Sequence, residues 1–129
     1  MKIEVSNGEI LDKITILLIK KEKITDKKKL INVLRELKEL EFFLEEVNYT
    51  NDEKVKALFD SLKEINEKLW NIEDRIREKE SLHQFDDEFI NLARSVYFTN
   101  DLRAEVKREI NQYTNSSLIE EKSYNKYND

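Results

Sequence analysis

Arg94, Tyr97, Asn100, Arg103 and Lys107 follow one another at intervals of three or four residues. On a helix, that spacing sets each beside the next on successive turns. A guanidinium grips a carboxylate or phosphate through a bidentate fork, and an ammonium, an amide and a phenol beside it complete an anion pocket. Glu73, on the preceding helical segment, is the carboxylate placed to orient such a ligand or to act as general acid or base. The same residues have a plainer reading. If two helices form an antiparallel hairpin turning near His83–Gln84, Arg94 faces Glu73, Tyr97 faces Trp70 and Asn100 faces Asn66 or Glu67. Arg103 then faces Glu64 and Lys107 faces Asp60, a ladder of ion pairs contributing about 0–1 kcal/mol each when exposed. Arg103 fits the ladder least. It shares its heptad phase with Phe89, Val96 and Ile110 and so points inward. There it needs Glu64, Asn66, a ligand anion or water, because an unpaired buried charge costs several kcal/mol.

Other chemistry is sparse. Ser6-Asn7-Gly8 opens a helix and offers free N–H groups to an anion, or forms an ordinary cap. One glycine in the whole chain excludes a glycine-rich phosphate loop. His83, Asp86 and Asp87 are potential metal ligands, but a lone histidine beside an N-cap pair reads first as a connection. The carboxylate pairs Glu73-Asp74 and Glu36/Glu39 are of a kind that binds magnesium, yet their basic flanks favour solvated faces. The absence of cysteine removes thiolate zinc sites, thiol nucleophiles and disulfides. The reading assigns no metal and no cofactor.

The elements that must position these groups are helices. Ser6 with Glu9 three residues on is a capping box, followed by Ile10, Leu11, Ile14, Leu17 and Leu18 at helical spacing. Ile16 and Ile19 widen that surface, so the first helix is expected to be the most enclosed. Thr25 or Asp26 caps a second, with a stripe from Leu30 through Val33, Leu34, Leu37, Leu40 and Leu44 to Val47. Thr50 or Asn51 caps a third, carried by Val55, Leu58, Leu62, Ile65, Leu69, Ile72 and Ile76. Asp86 or Asp87 caps the fourth, whose seam is Phe89, Leu92, Val96, Val106, Ile110 and Tyr113. Lys2–Val5 reads as extended. Residues 1–113 form one domain and 114–129 a polar tail.

The bulk numbers agree. The 129 residues are 40% charged and 39% hydrophobic, with no proline, which suits elongated helices with much surface to solvate. The net charge of −5, with both signs interspersed, lacks the basic footprint of a nucleic-acid binder. Ile14–Ile19 is too short and too flanked by lysine for a signal core or a membrane span. A cytoplasmic protein is expected.

The segments VSNGEILDKITIL, KLWNIEDRIRE, FINLARSVYFTNDLRAEVKREIN and EEKSY resemble, in order and over nearly the whole chain, a bacterial family known only as a domain of unknown function. The resemblance implies a small single-domain protein with no assigned activity, in the neighbourhood of cell-surface glycan synthesis. It also implies that the tail, through Glu120–Tyr124, folds back with Tyr124 on the bundle. The expectation is an all-α antiparallel bundle of four helices that self-associates. First in order stands a non-enzymatic scaffold that binds a protein partner. Second stands a binder of, or enzyme for, a small anionic metabolite using Glu73, Arg94, Tyr97, Asn100, Arg103 and Lys107. Third is a purely structural coiled-coil dimer in which Arg103 pairs across a two-fold axis.

Overall fold

A computed structural model describes residues 1–123, 126 and 127. Among them the chain is all helical: α1 (Asn7–Lys23), α2 (Lys27–Leu40), the single turn α3 (Phe43–Glu46), α4 (Glu53–Ser81) and α5 (Asp87–Tyr113). No described helix is long and apolar enough to cross a membrane. Helix starts follow local chemistry. Ser6 Oγ accepts the N–H of Glu9, Asp26 that of Lys29 and Asp86 that of Phe89, each satisfying a donor that the first turn leaves free. The cap of α4 is Asp52, one residue beyond the expected Thr50 or Asn51, and it accepts from both Lys54 and Val55. The second expected helix is broken. After Leu40 the chain tightens to bonds between residues three apart, Leu44 to Glu41 and Glu45 to Phe42. That tightening turns Phe43 into the core and leaves Phe42 outside. Asn48 then takes a positive φ, which asparagine tolerates better than most residues.

α1 lies in the middle, packed against α2, α4 and α5, and is indeed the most enclosed helix. Leu11, Ile14, Leu17, Leu58, Leu62 and Ile110 meet there, with Val33, Leu37, Phe43 and Phe59 closing the cluster. α4 and α5 form the expected antiparallel hairpin, read from contacts such as Arg75 with Glu88 and Asp52 with Tyr113. The main cluster takes nothing from α4 beyond Leu62, nor from α5 before Val106. Toward the hairpin loop Ile72 is buried, while Ile65, Leu69, Ile76, Phe89, Leu92 and Val96 are half-buried. At the loop itself Lys79 is buried, with its Nζ 2.7 Å from Asp86 and 3.3 Å from Glu88. Tyr113, assigned to the seam, instead stays exposed with its hydroxyl on the Asp52 carboxylate.

Among the described residues, the tail has no helix after Thr114 and lies against α1 and α5. Ser116 N–H donates to the Asn111 carbonyl, and Ser116 Oγ accepts the N–H of Asn7. Glu121 pairs with Arg108, and the Tyr127 hydroxyl bonds to Asp101. The expected packing of Tyr124 lies outside the described residues.

Candidate functional site

The site is built on α5 where it crosses α1. The single glycine explains how close the two come. A Cβ on Gly8 would sit 2.5 Å from the backbone oxygen of Lys107 and 2.9 Å from Asn111 Oδ1. Without that atom the two backbones touch, and Gly8 N–H donates to Asn111 Oδ1 at 2.6 Å. Facing this contact, α5 presents Thr99, Arg103, Lys107 and Asn111, spaced four apart, and α1 presents Glu9, Asp12 and Thr15.

Arg103 finds its partner on α1, not on α4. Its Nε donates to Asp12 Oδ1 at 2.9 Å and its Nη2 to Asp12 Oδ2. Asp12 is almost wholly enclosed, its side chain 2% exposed, while that of Arg103 is 29% exposed. Asn66 on α4 completes the arrangement, donating from Nδ2 to Asp12 Oδ1 at 2.9 Å and to Thr15 Oγ1 at 2.8 Å. The Thr15 hydroxyl donates in turn to the Asp12 carbonyl. A buried carboxylate is thus matched by one guanidinium and one amide, as burial of a charge requires. The bond to Asp12 raises the Arg103 pKa further above its already high value. Arg103 spends Nε and Nη2 on this pair, leaving Nη1 outside it.

The other ladder pairs also form elsewhere. Lys107 reaches Glu9 on α1 at 2.7 Å, not Asp60. Glu73 pairs with Arg77 on its own helix, and the Arg94 guanidinium lies over the Phe98 ring at 5.8 Å. Tyr97 packs against Phe98 and Tyr127, with ring centroids 4.8 and 5.3 Å apart, and not against Trp70. For Arg103 and Lys107 the reason is the third helix: α1 occupies the inner face toward which α5 directs them.

Three of the six expected residues meet in one cleft. Tyr97, Asn100 and Arg103 line a space of about 890 Å³ between α5 and the returning tail, with Asp101, Lys122, Lys126 and Tyr127. Its described walls carry three cations and one carboxylate on a chain of net charge −5. Lys107 lines an adjoining cleft of about 630 Å³. Glu73 and Arg94 line neither. Periodicity does not single out Asp12 and Thr15, because α1 reads as an apolar stripe, and it gives Glu9 only a capping role. Asp12 and Thr15, three apart and directly following Leu11 and Ile14, are the available signal. Asn111 was missed too, though it continues the four-residue spacing from Thr99.

Comparison with curated proteins finds no match, and comparison with solved structures finds none either. One family model matches residues 1–128, which is nearly the full length. The chain therefore belongs to the family of unknown function DUF6165.

Proposed function

We propose that the protein is a binding domain for a small anionic metabolite, seated in the cleft between α5 and the tail. One observation carries this reading: a cleft of about 890 Å³ brings Arg103, Lys122 and Lys126 together beside the rings of Tyr97 and Tyr127. Its size is that of ordinary ligand sites, and its makeup of aromatic surface with a few convergent polar groups is theirs too. Asp12 holds Arg103 from behind, so the guanidinium is fixed before any ligand arrives, which lowers the ordering cost of binding. An acidic or phosphorylated sugar suits such walls. The tyrosines offer flat apolar faces, Asn100 and Asp101 meet hydroxyl groups, and the cations meet the charge. The resemblance to a family placed near surface-glycan synthesis supports the same ligand class. The reading stops at binding, since Glu73, the expected general acid or base, lies away from the cleft.

Thermal unfolding with glucose 1-phosphate and glucuronate tests it, on wild type, Tyr97→Ala and Lys126→Ala together. A ligand at a hundred times its Kd stabilises the fold by about 2.7 kcal/mol. The expected result is a shift in wild type that both variants lose while their ligand-free stability stays near wild type. Arg103→Ala is the wrong probe, because it also strips Asp12 of its partner. A shift in all three proteins, or in none, refutes the reading.

The scaffold reading has its own support at the hairpin loop, where Leu82, Phe85 and Ile90 are each more than half exposed. Isolated apolar residues need no explanation, but three at one end suit a partner surface. Sedimentation of wild type and Phe85→Ser distinguishes self-association through this end from a monomer.

A further inference from the structure

Beneath the tail, next to the first cleft, lies the second, of about 630 Å³. Its helix side carries Lys107, Arg108 and Asn111, and its tail side Glu120 and Glu121. The tail's acids reach both cations: Arg108 Nη1 is 2.6 Å from Glu121 Oε1, and Lys107 Nζ, already held by Glu9 at 2.7 Å, is 3.7 Å from Glu120 Oε2. At the helix wall, Asn111 is 1% exposed, and its Nδ2 is buried with no acceptor among the described residues. The other end of that amide is fixed, since Oδ1 already takes the Gly8 N–H. A buried donor without an acceptor is costly, and native structures rarely leave one so. Ammonium, guanidinium and amide N–H all call for the same thing, an oxygen that accepts. The tail's two carboxylates supply it in part.

We propose that this cleft is an oxoanion site which the chain occupies with its own Glu120 and Glu121, so that the tail competes with an external phosphate or carboxylate. The tail is suited to release. Its root at Ser116 is held by its own N–H on the Asn111 carbonyl and by its hydroxyl, which accepts the Asn7 N–H. Beyond it, Ser117 on Glu4 and Glu121 on Arg108 are exposed contacts, of a kind that contributes little each. Leu118 and Ile119 stay more than two-fifths exposed. The next apolar anchor among the described residues is Tyr127, on the Tyr97 and Phe98 rings, so Glu120 and Glu121 lie in a span held mainly at its two ends. Tethering still gives the two glutamates a millimolar effective concentration, which an external ligand must overcome. The proposal does not depend on the first cleft being occupied, although Lys122 and Lys126 border both.

The test is a titration of the full chain with inorganic phosphate at constant ionic strength, followed by NMR at the Asn111 side-chain amide. Wild type is compared with Glu120→Gln/Glu121→Gln. The proposal expects the double variant to bind at least about tenfold more tightly, because the tethered competitor is gone. It also expects the Asn111 Nδ2 protons to shift on binding. Adding Arg108→Ala, at an exposed position, should abolish the gain. Glu45→Gln/Glu46→Gln removes the same charge elsewhere and should give no gain. Unchanged affinity in the double variant overturns the proposal, as does an equal gain in the control. A gain that survives Arg108→Ala but is lost with Tyr97→Ala belongs to the first cleft and overturns it too. A gain that needs Arg108 and ignores Tyr97 upholds it even where glucose 1-phosphate and glucuronate fail at the first cleft.

Discussion

Gly8→Ala should destabilise the fold, although alanine is the better helix former. Intrinsic propensity gives alanine about 1 kcal/mol over glycine in a helix interior, and less this close to the N-terminus. The new methyl meets two atoms that cannot both retreat. One is the Lys107 backbone oxygen at 2.5 Å, held within α5. The other is Asn111 Oδ1 at 2.9 Å, which is bonded to the Gly8 N–H. Forcing one carbon into a packed contact costs about 1–3 kcal/mol. Moving Asn111 aside forfeits a buried hydrogen bond, a further loss of about 1 kcal/mol. Net of propensity, the variant loses about 1–3 kcal/mol. At roughly 4 °C per kcal/mol for a chain of this size, the melting temperature falls by about 4–12 °C. Circular dichroism at 222 nm through thermal and urea unfolding measures both quantities. A Gly8→Ala protein as stable as wild type, or more so, would refute the close approach of α1 to α5 and, with it, the placing of Asn111 at the wall of the second cleft.

Two further outcomes follow from charges the fold encloses. Arg103→Ala should cost about 3–5 kcal/mol in urea unfolding, because it strands the enclosed Asp12 carboxylate; Arg103→Met combined with Asp12→Asn should recover much of that. Acid should weaken the fold through Asp52, Asp86 and Glu88, which sit below the usual carboxylate range. Asp52 is held by the Val55 N–H and Tyr113, Asp86 by Lys79 and the Phe89 N–H, and Glu88 by Arg75 and then Lys79. Because their folded pKa values are depressed, the stability they contribute is present above their unfolded values near pH 4 and is lost as pH falls through the folded ones. Urea midpoints should therefore drop below about pH 4, and Lys79→Met should flatten that limb; an unaltered limb would show that the Lys79 contacts do not hold in solution.

Much of this architecture was legible because helix periodicity is a local signal. Val55, Leu58, Leu62 and Ile72 announce α4 unaided, and Ser6, Asp26 and Asp86 mark where helices begin. The end of α2 was not legible, since no proline or glycine marks it; Phe43 breaks the pattern only because a core exists for it to enter. The site was half legible. That Arg103 turns inward follows from heptad phase, and that it needs an oxygen partner follows from electrostatics. Which oxygen depends on which helix lies opposite, and that is a property of three helices at once. Asp12 and Arg103 lie 91 residues apart, and no periodicity within either helix links them. The tail's return to α5 rests on single ion pairs, hydroxyl contacts and the Tyr127 ring on Tyr97 and Phe98, none of which recurs with a helical period.

The unequal lengths of the helices have a consequence for motion. α4 spans 29 residues and α5 27, about 40 Å each, whereas α1 spans 17, about 25 Å. The last few turns before the hairpin loop therefore extend past the helix that covers the rest, with Ile72 the one hydrophobic residue buried there among those described. That overhang can breathe without disturbing the cluster around Leu62. Its amides should exchange with solvent sooner than those near Leu62 and Ile110. The Lys79 contacts to Asp86 and Glu88 then act as a latch at the far end, placed where apolar packing has run out.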